Sequence, residues 1–223
     1  MHWILDRRFI DCFCDPVIEG GSLLDAGAGS GIISCCCIEK GWQVTAVDVS
    51  DSMLAEMKCP AKKVIASIEN LPFSDKSFDV TVCRQVLQYT DMPLALASML
   101  RVTKREIRLG HIKFADPCDK EFWKDFFALA NPYRNHVFYS GEDFISEGIK
   151  SVGCNVPEMH TEEFAFDDIL VSHIKYPDTA LYRKLRDMLL SRDGDFLKRN
   201  NVTADKNGNV YCKRIWSFTV IKL

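Results

Sequence analysis

The chain has 223 residues, 47% of them hydrophobic, with 28 Lys and Arg against 31 Asp and Glu and a formal net charge of −3. A chain of that size suits one domain with a real core, and the slight negative charge speaks against a nonspecific nucleic-acid binder, which is basic as a rule. No apolar run approaches the roughly eighteen residues of a membrane span.

The opening run Met1-His2-Trp3-Ile4-Leu5-Asp6-Arg7-Arg8 puts an acid and two arginines where a secretory signal needs an apolar stretch. The chain therefore reads as soluble and cytoplasmic. Apolar positions at Ile4, Leu5, Phe9, Ile10 and Phe13 predict an amphipathic helix within residues 1–14, broken by Gly20-Gly21. A strand over 22–26 leads into a helix over about 29–40, with Gly41 placed as its C-terminal cap. A second strand over 42–47 ends in Asp48. Ser50 then N-caps a helix through Met57, which Cys59-Pro60 terminates. Short strands follow over 63–66 and 78–83, then a helix over 93–103 and a strand over 106–112. Strands alternating with helices predict a parallel sheet wound by right-handed crossovers.

The pattern changes after Phe114. Helices are expected over 119–129, 140–151, 166–174 and 177–190, and a strand over 155–164. Asp205-Lys206-Asn207-Gly208-Asn209 carries an Asn-Gly turn signal, and 210–223 alternates as a closing strand with Tyr211, Trp216, Phe218 and Val220 as its bulky members. Without a linker or repeat, residues 1–223 read as a single domain, with a cofactor half over 1–112 and a substrate or cap half over 113–223.

None of the ten cysteines stands in a Cys-x-x-Cys pair, and Cys35-Cys36-Cys37 on a helix point in three directions. They read as small buried hydrophobes in a reducing compartment, with a metal or redox role as the lesser alternative, and no metal ligand set is assigned.

The densest chemical signal is Leu23-Leu24-Asp25-Ala26-Gly27-Ala28-Gly29-Ser30-Gly31. Two apolar residues run into an acid, then glycines recur on alternate positions. That is a buried strand ending in a tight turn that opens a helix, where glycine lets a ligand approach the backbone and free N–H groups face it. Such a turn serves a dinucleotide, a nucleoside or nothing. The dinucleotide spacing needs glycine at position 32, which is isoleucine. Asp25 at the strand's end would repel a pyrophosphate and suit a cationic amino-acid moiety. Asp48, at the end of the second strand, is placed to accept both ribose hydroxyls; its other reading is an acid ahead of the Ser50 cap.

Three ordered blocks then resemble a known family. Asp25-x-Gly27-x-Gly29-x-Gly31, Val47-Asp48-Val49-Ser50-x-x-Met53-Leu54 and Ile68-Glu69-Asn70-Leu71-Pro72-Phe73-Ser74-Asp75-Lys76-Ser77-Phe78-Asp79-Val80 look like a class I S-adenosylmethionine-dependent methyltransferase of the ubiquinone/menaquinone-methyltransferase-like small-molecule subfamily. The resemblance spans roughly residues 20–112. It implies an α/β fold: a doubly wound, mostly parallel seven-stranded sheet with an antiparallel last strand, Rossmann-like, with a helical insertion near the C-terminus. It implies S-adenosyl-L-methionine as cofactor and S-adenosyl-L-homocysteine as product. Asp25, Gly27, Gly29 and Gly31 would hold the methionine end and Asp48 the ribose. Val49 and Met53 would flank the adenine face, and Ser67 and Ile68 its edge. Arg84 and Gln85 would face the cofactor and methyl group, with Gln88 and Tyr89 one turn on.

Two departures stand out. Ser67 occupies a position that is often aspartate, so its bond to the adenine amino group would lack charge. Arg101-Val102-Thr103-Lys104-Arg105-Glu106-Ile107 lacks the usual Pro-Gly-Gly before the fifth strand. Methyl transfer needs alignment more than a dedicated base. His111, His136 and Tyr139 are the candidates should a base be used, and His111 also reads as a strand-end histidine bonded to backbone. Phe122, Trp123, Phe126, Phe127, Tyr133, Phe138 and Tyr139 read either as packing against the sheet or as the lining of an acceptor pocket. The expected partner is a small-molecule or carrier-bound acceptor, not nucleic acid. An NAD-dependent oxidoreductase and a non-catalytic scaffold of the same fold are the rival readings.

Overall fold

The computed structural model describes residues 5–130, 144–170 and 179–223. Among these residues eight strands form one mixed sheet. The path runs β3 (Lys62–Ile65), β2 (Gln43–Asp48), β1 (Ser22–Ala26), β4 (Phe78–Arg84), β5 (Thr103–Phe114), β8 (Val210–Lys222), β6 (Glu158–Ile169), and the two-residue β7 (Thr203–Ala204) pairs with β8 off this path. Seven strands were expected; β7 is the eighth. The ladders β3-β2-β1-β4-β5 are parallel. The other edge is antiparallel: the Leu223 N–H just past β8 donates to the Arg105 carbonyl near the start of β5 (2.7 Å). β1 is central, with Leu23, Leu24 and Ala26 fully buried, as a strand covered on both faces requires.

The described residues fall into two compact units. Those within Met1–His111, Asp143–Glu162 and Phe218–Leu223 form one, and those within Ile112–Glu142 and Glu163–Ser217 the other. In the first unit the expected helix over 1–14 is broken. A 3-10 turn, Arg7–Phe9, and a short α1, Asp11–Cys14, flank Ile10 at φ −120°. Asp6 accepts the Arg8 N–H and grips its guanidinium, a local alternative to helical bonding. Helices α2 (Ile32–Glu39), α3 (Asp51–Glu56) and α4 (Met92–Val102) follow their strands as expected. α4 buries Met92, Ala95, Leu96, Met99 and Val102, the stripe of an amphipathic helix.

The missing Pro-Gly-Gly is replaced by a junction without a loop, β5 starting at the residue after α4. Thr103, fully buried, donates from Oγ1 to the Met99 carbonyl and shares a bond with Thr81 Oγ1, both at 2.6 Å. Lys76 Nζ caps the Thr103 carbonyl (2.7 Å).

The second unit has its own core, made by Trp123, Phe126 and Ala130 of α5 (Lys120–Ala130), Leu185 and Leu189 of α7 (Thr179–Leu190), Phe196 of α8 (Gly194–Arg199), and Val210 and Cys212. Phe122 and Phe127 pack against this core, which corrects the pocket-lining alternative for these four aromatics; they are packing residues. Buried Asp119 accepts from Arg199 Nη2 (2.5 Å) and Asn200 Nδ2 (2.6 Å), so the charge is paired where it is desolvated. Phe166–Ile169, expected as helix, belongs to strand β6, with Phe164, Phe166 and Asp168 more buried than their neighbours, the period of two of a strand. Leu170, the next residue, is buried, and the rest of that expected helix lies outside the described residues. So does the first part of the helix over 140–151, of which α6 (Phe144–Ser151) is described.

The cysteines divide. Cys14, Cys36, Cys37, Cys83 and Cys212 are buried thiols, as a reading as small hydrophobes requires, whereas Cys118 is exposed. Cys35 departs from that reading, being disulfide-bonded to Cys59 with Cα atoms 5.2 Å apart. Chain geometry explains the pairing: α2 and the residues after α3 converge on the small cluster of Ala46, Leu54 and Met57. No helix among the described residues is long and apolar enough to cross a membrane.

Candidate functional site

Parallel register aligns the C-terminal ends of the first five strands. Asp25 lies beside Ala46 and Val82, Asp48 beside Ile65, and Arg84 beside Gly110. Ligand crevices of open α/β sheets form at this edge.

The glycine turn is tied to β2 by its backbone. The N–H groups of Gly27 and Ala28 donate to the Val47 carbonyl at 2.8 and 2.9 Å, and Gly29 N–H donates to Asp48 Oδ2 at 2.8 Å. The glycines have φ of +80°, +54° and +87°, where a Cβ is strained. Their surroundings differ. A Cβ at Gly27 would stand 2.3 Å from Val86, and one at Gly31 2.5 Å from Met57. Those two positions are closed by protein side chains. At Gly29 the one neighbour within 4 Å among the described residues is the Met53 methyl, at 3.3 Å, so of the three this glycine has room above it.

Two carboxylates bracket the turn. Asp25 is buried and accepts from Ser34 Oγ of α2 at 2.6 Å. Burial pushes its carboxyl up to about 6, while the Ser34 bonds and the Arg84 charge pull the other way. Asp48 is half-buried; besides Gly29 it takes the Ser50 N–H on Oδ1 at 2.9 Å. The helix cap is Ser50 itself, whose side chain accepts from Met53 N–H. Asp48 is therefore a brace of the turn and not a cap, and each of its oxygens keeps a second lone pair.

Beside Asp48 lies an apolar surface. Val49 is 70% exposed, Ile65 60% and Met53 40%. Ser67 caps the turn Ile68–Asn70, accepting the Glu69 N–H at 3.2 Å, and the Ile68 side chain is buried.

On the other side of β1, Arg84 ends β4 and is partly buried. Desolvation holds its guanidinium down to about 10, against the opposing influence of Cys12 and Asp25. Gln85 sits in the left-handed region at φ +57°, a strained position for a side chain. Its N–H donates to the Gly110 carbonyl (2.8 Å), and Gln88 Nε2 donates to both its carbonyl (3.0 Å) and its Oε1 (2.9 Å). Gln85 Nε2 is sealed from solvent without a hydrogen-bond partner among the described residues. Tyr89 is exposed, and His111, buried, follows Gly110 on β5. His136 and Tyr139 lie outside the described residues.

The structure thus gathers Asp25, Gly29, Asp48, Val49, Met53, Arg84, Gln85 and, one position past Gly110, His111 at one sheet edge. Ser34, Met57 and Val86, which support them, carry no signal of their own in the sequence, each acting through a neighbour brought close by the fold; Gln88, which the resemblance placed one turn on from Gln85, supports Gln85.

Residues 24–109 match the family model described as a methyltransferase domain. That match covers less than half of the chain, and the curated relatives that align with it are methyltransferases. Among curated relatives, the chain is 36% identical over 108 residues to the malonyl-[acyl-carrier protein] O-methyltransferase of Pectobacterium atrosepticum, covering 47% of this chain and 42% of that one. To the ubiquinone/menaquinone biosynthesis C-methyltransferase UbiE of Psychromonas ingrahamii it is 32% identical over 130 residues, 52% of this chain and 51% of that one. These matches thus span about half or less of the relatives' own lengths. By fold this chain is similar to the YcgJ protein of Bacillus subtilis, with TM-score 0.78 and 19% identity over the whole of both chains. It is also similar to a Bacillus halodurans protein described as a putative methyltransferase, with TM-score 0.77 and 14% identity over 93% and 94% of the two chains.

Proposed function

We propose that this chain transfers the methyl group of S-adenosylmethionine to a small-molecule or carrier-bound acceptor. The observation that carries the reading is the pair of strand-end carboxylates, Asp25 and Asp48, on either side of the room above Gly29. Their donor chemistry fits the cofactor. Asp25 offers a buried anion to the cationic methionine tail, and Asp48 offers spare lone pairs to ribose hydroxyls. The exposed Val49, Met53 and Ile65 offer an apolar face to adenine, and the Ser67 hydroxyl and Ile68 backbone stand at its edge. A dinucleotide fits less well, because a pyrophosphate over the glycine turn would meet Asp25.

The bound cofactor supplies an activated methyl carbon for in-line displacement. The chain supplies alignment, on the order of 7–11 kcal/mol when geometry is held. Gln85, locked by Gln88 and presenting a buried amide N–H, orients groups at the mouth of β4. His111 stands nearby as a base for an acceptor that needs one. The names of the two curated relatives, a malonyl-[acyl-carrier protein] O-methyltransferase and a ubiquinone/menaquinone biosynthesis C-methyltransferase, support the carrier-bound and small-molecule alternatives respectively.

Calorimetric titration tests the reading. Wild-type protein binds S-adenosylhomocysteine and gives no heat with NAD. Asp48→Ala loses about 10- to 100-fold in affinity, as expected for two hydrogen bonds to one carboxylate, with an unchanged far-UV spectrum. Tight NAD binding without response to S-adenosylhomocysteine, or an Asp48→Ala variant of undiminished affinity, overturns it. A labelled-methyl assay with malonyl-carrier and quinol acceptors separates enzyme from scaffold.

A further inference from the structure

Resting on the cofactor assignment above, we infer that the Cys35–Cys59 disulfide is a redox-controlled tether. It holds α3 beside the glycine turn, and its reduction weakens cofactor binding while the sheet stays folded.

The crosslink joins residues 24 positions apart, and the loop it closes contains β2, Asp48, Val49 and Met53, the residues assigned to ribose and adenine. α3, which carries Met53, is six residues long, with Leu54 as its one buried side chain. A helix that short has little stability of its own, so its place depends on what ties its ends. Ser50 ties the N-terminal end, its hydroxyl accepting the Met53 N–H at 3.3 Å. At the other end Ala46, Leu54 and Met57 form a small buried cluster, and Ala28, Cys35, Cys59 and Ala61 pack against it. Ala28 belongs to the glycine turn, so the turn, the disulfide and the end of α3 meet at one cluster. Met57 is the side chain that closes over Gly31, and Met53, one turn earlier, borders Gly29. Once the crosslink opens, this end keeps the packing of Leu54 and Met57 and the Lys63 Nζ bond to the Met57 carbonyl at 3.0 Å.

Burial decides which sulfur atoms respond. Cys35 and Cys59 are half-buried, within reach of a small reagent. The Cys14 sulfur lies 3.1 Å from that of Cys36 and 3.2 Å from that of Cys37, yet all three side chains are buried. Burial, with Cys14 alongside, pushes the Cys36 thiol up to about 12, and a buried protonated thiol is inert. The step at Cys35 and Cys59 balances with a small dithiol as reductant. One of its thiolates attacks one sulfur of the disulfide and displaces the other, and its second thiolate releases the first. Two electrons and two protons pass to Cys35 and Cys59, which become thiols, while the dithiol becomes a disulfide. Hydrogen peroxide reverses the change, taking the same electrons and protons and leaving as two waters.

The test compares the full chain in its disulfide form with the chain reduced by dithiothreitol, which is removed under argon before measurement. Alkylation and mass mapping show residues 35 and 59 newly blocked after reduction. Without ligand, hydrogen exchange speeds up over residues 50–59 of the reduced form and is unchanged over 78–84. In calorimetry the reduced form binds S-adenosylhomocysteine about 5- to 20-fold more weakly, because α3 must be ordered on binding, and peroxide restores the affinity. A Cys35→Ser, Cys59→Ser double variant binds like the reduced protein and does not respond to dithiothreitol. Equal affinity of the two wild-type forms, with reduction at 35 and 59 mapped, refutes the tether whether or not the variant folds. So does a double variant that still responds to dithiothreitol. Residues 35 and 59 that are alkylated even after peroxide treatment refute the disulfide itself. Faster exchange over 50–59 on reduction, with neither form binding S-adenosylhomocysteine, refutes the cofactor assignment and the control of binding, while the tether of α3 stands.

Discussion

Asp25 shows the conflict between stability and binding at a single residue. A buried carboxyl raised to about 6 holds a proton in the folded chain between pH ~4 and ~6, where the unfolded chain has lost it. Its contribution to stability is therefore greatest at low pH and falls as pH rises through that window. Above it the ionised group costs the fold on the order of 2–3 kcal/mol, at about 1.4 kcal/mol per pH unit. Asp25→Asn keeps an acceptor for Ser34 and removes the charge. Thermal melts from pH 4.5 to 7.5 should show the variant gaining on wild type by several degrees as pH rises, while S-adenosylhomocysteine binding is lost. A gap in melting temperature that does not change with pH would remove the penalty assigned here to the buried charge. In sequence this residue was legible as an anion ahead of a glycine turn. Its burial and its Ser34 partner were not, because nothing in the spacing of residues 25 and 34 announces a hydrogen bond across a strand and a helix.

At the scale of elements, the α4–β5 junction replaces a turn motif with side-chain bonds. Thr103 Oγ1 ties the end of α4 to β5 and meets Thr81 Oγ1, all out of solvent. Thr103→Val leaves the Thr81 hydroxyl without its Thr103 partner and the Met99 carbonyl with the Thr103 backbone N–H alone, an expected loss of about 1–3 kcal/mol in urea unfolding. Adding Thr81→Val should return part of that loss, since removing both partners costs less than orphaning one. Strictly additive losses would mean the two hydroxyls act independently. Elements were legible where periodicity was clean, as in β1, β2, β4 and α4. They were misread where polar residues took apolar positions. Asp168 sits buried on the inward face of β6, hiding the alternation that would have marked 166–169 as strand. At the N-terminus, the apolar spacing of Phe9, Ile10 and Phe13 describes what is buried, while Asp6 decides how the backbone gets there.

For the whole molecule, every residue proposed to touch the cofactor lies in the first compact unit. Hydrogen exchange with and without S-adenosylhomocysteine should show slowing concentrated in residues 23–31, 45–54, 65–69 and 82–89, with residues 179–217 unchanged. Slowing centred on 179–217 would place the ligand elsewhere. The amino-acid sequence by itself determined the alternating strand–helix order, the glycine turn with its two carboxylates, and the resemblance that names the family. These are local signals, written in spacing along one strand, turn or helix. Only the tertiary structure decided that β8 threads between β5 and β6, that Cys35 meets Cys59, and that Met57 and Val86 close over two of the glycines and leave the third open. Those outcomes depend on contacts between residues 24 to more than 100 positions apart in the chain, and burial at such contacts is set by how elements pack, which no local pattern encodes.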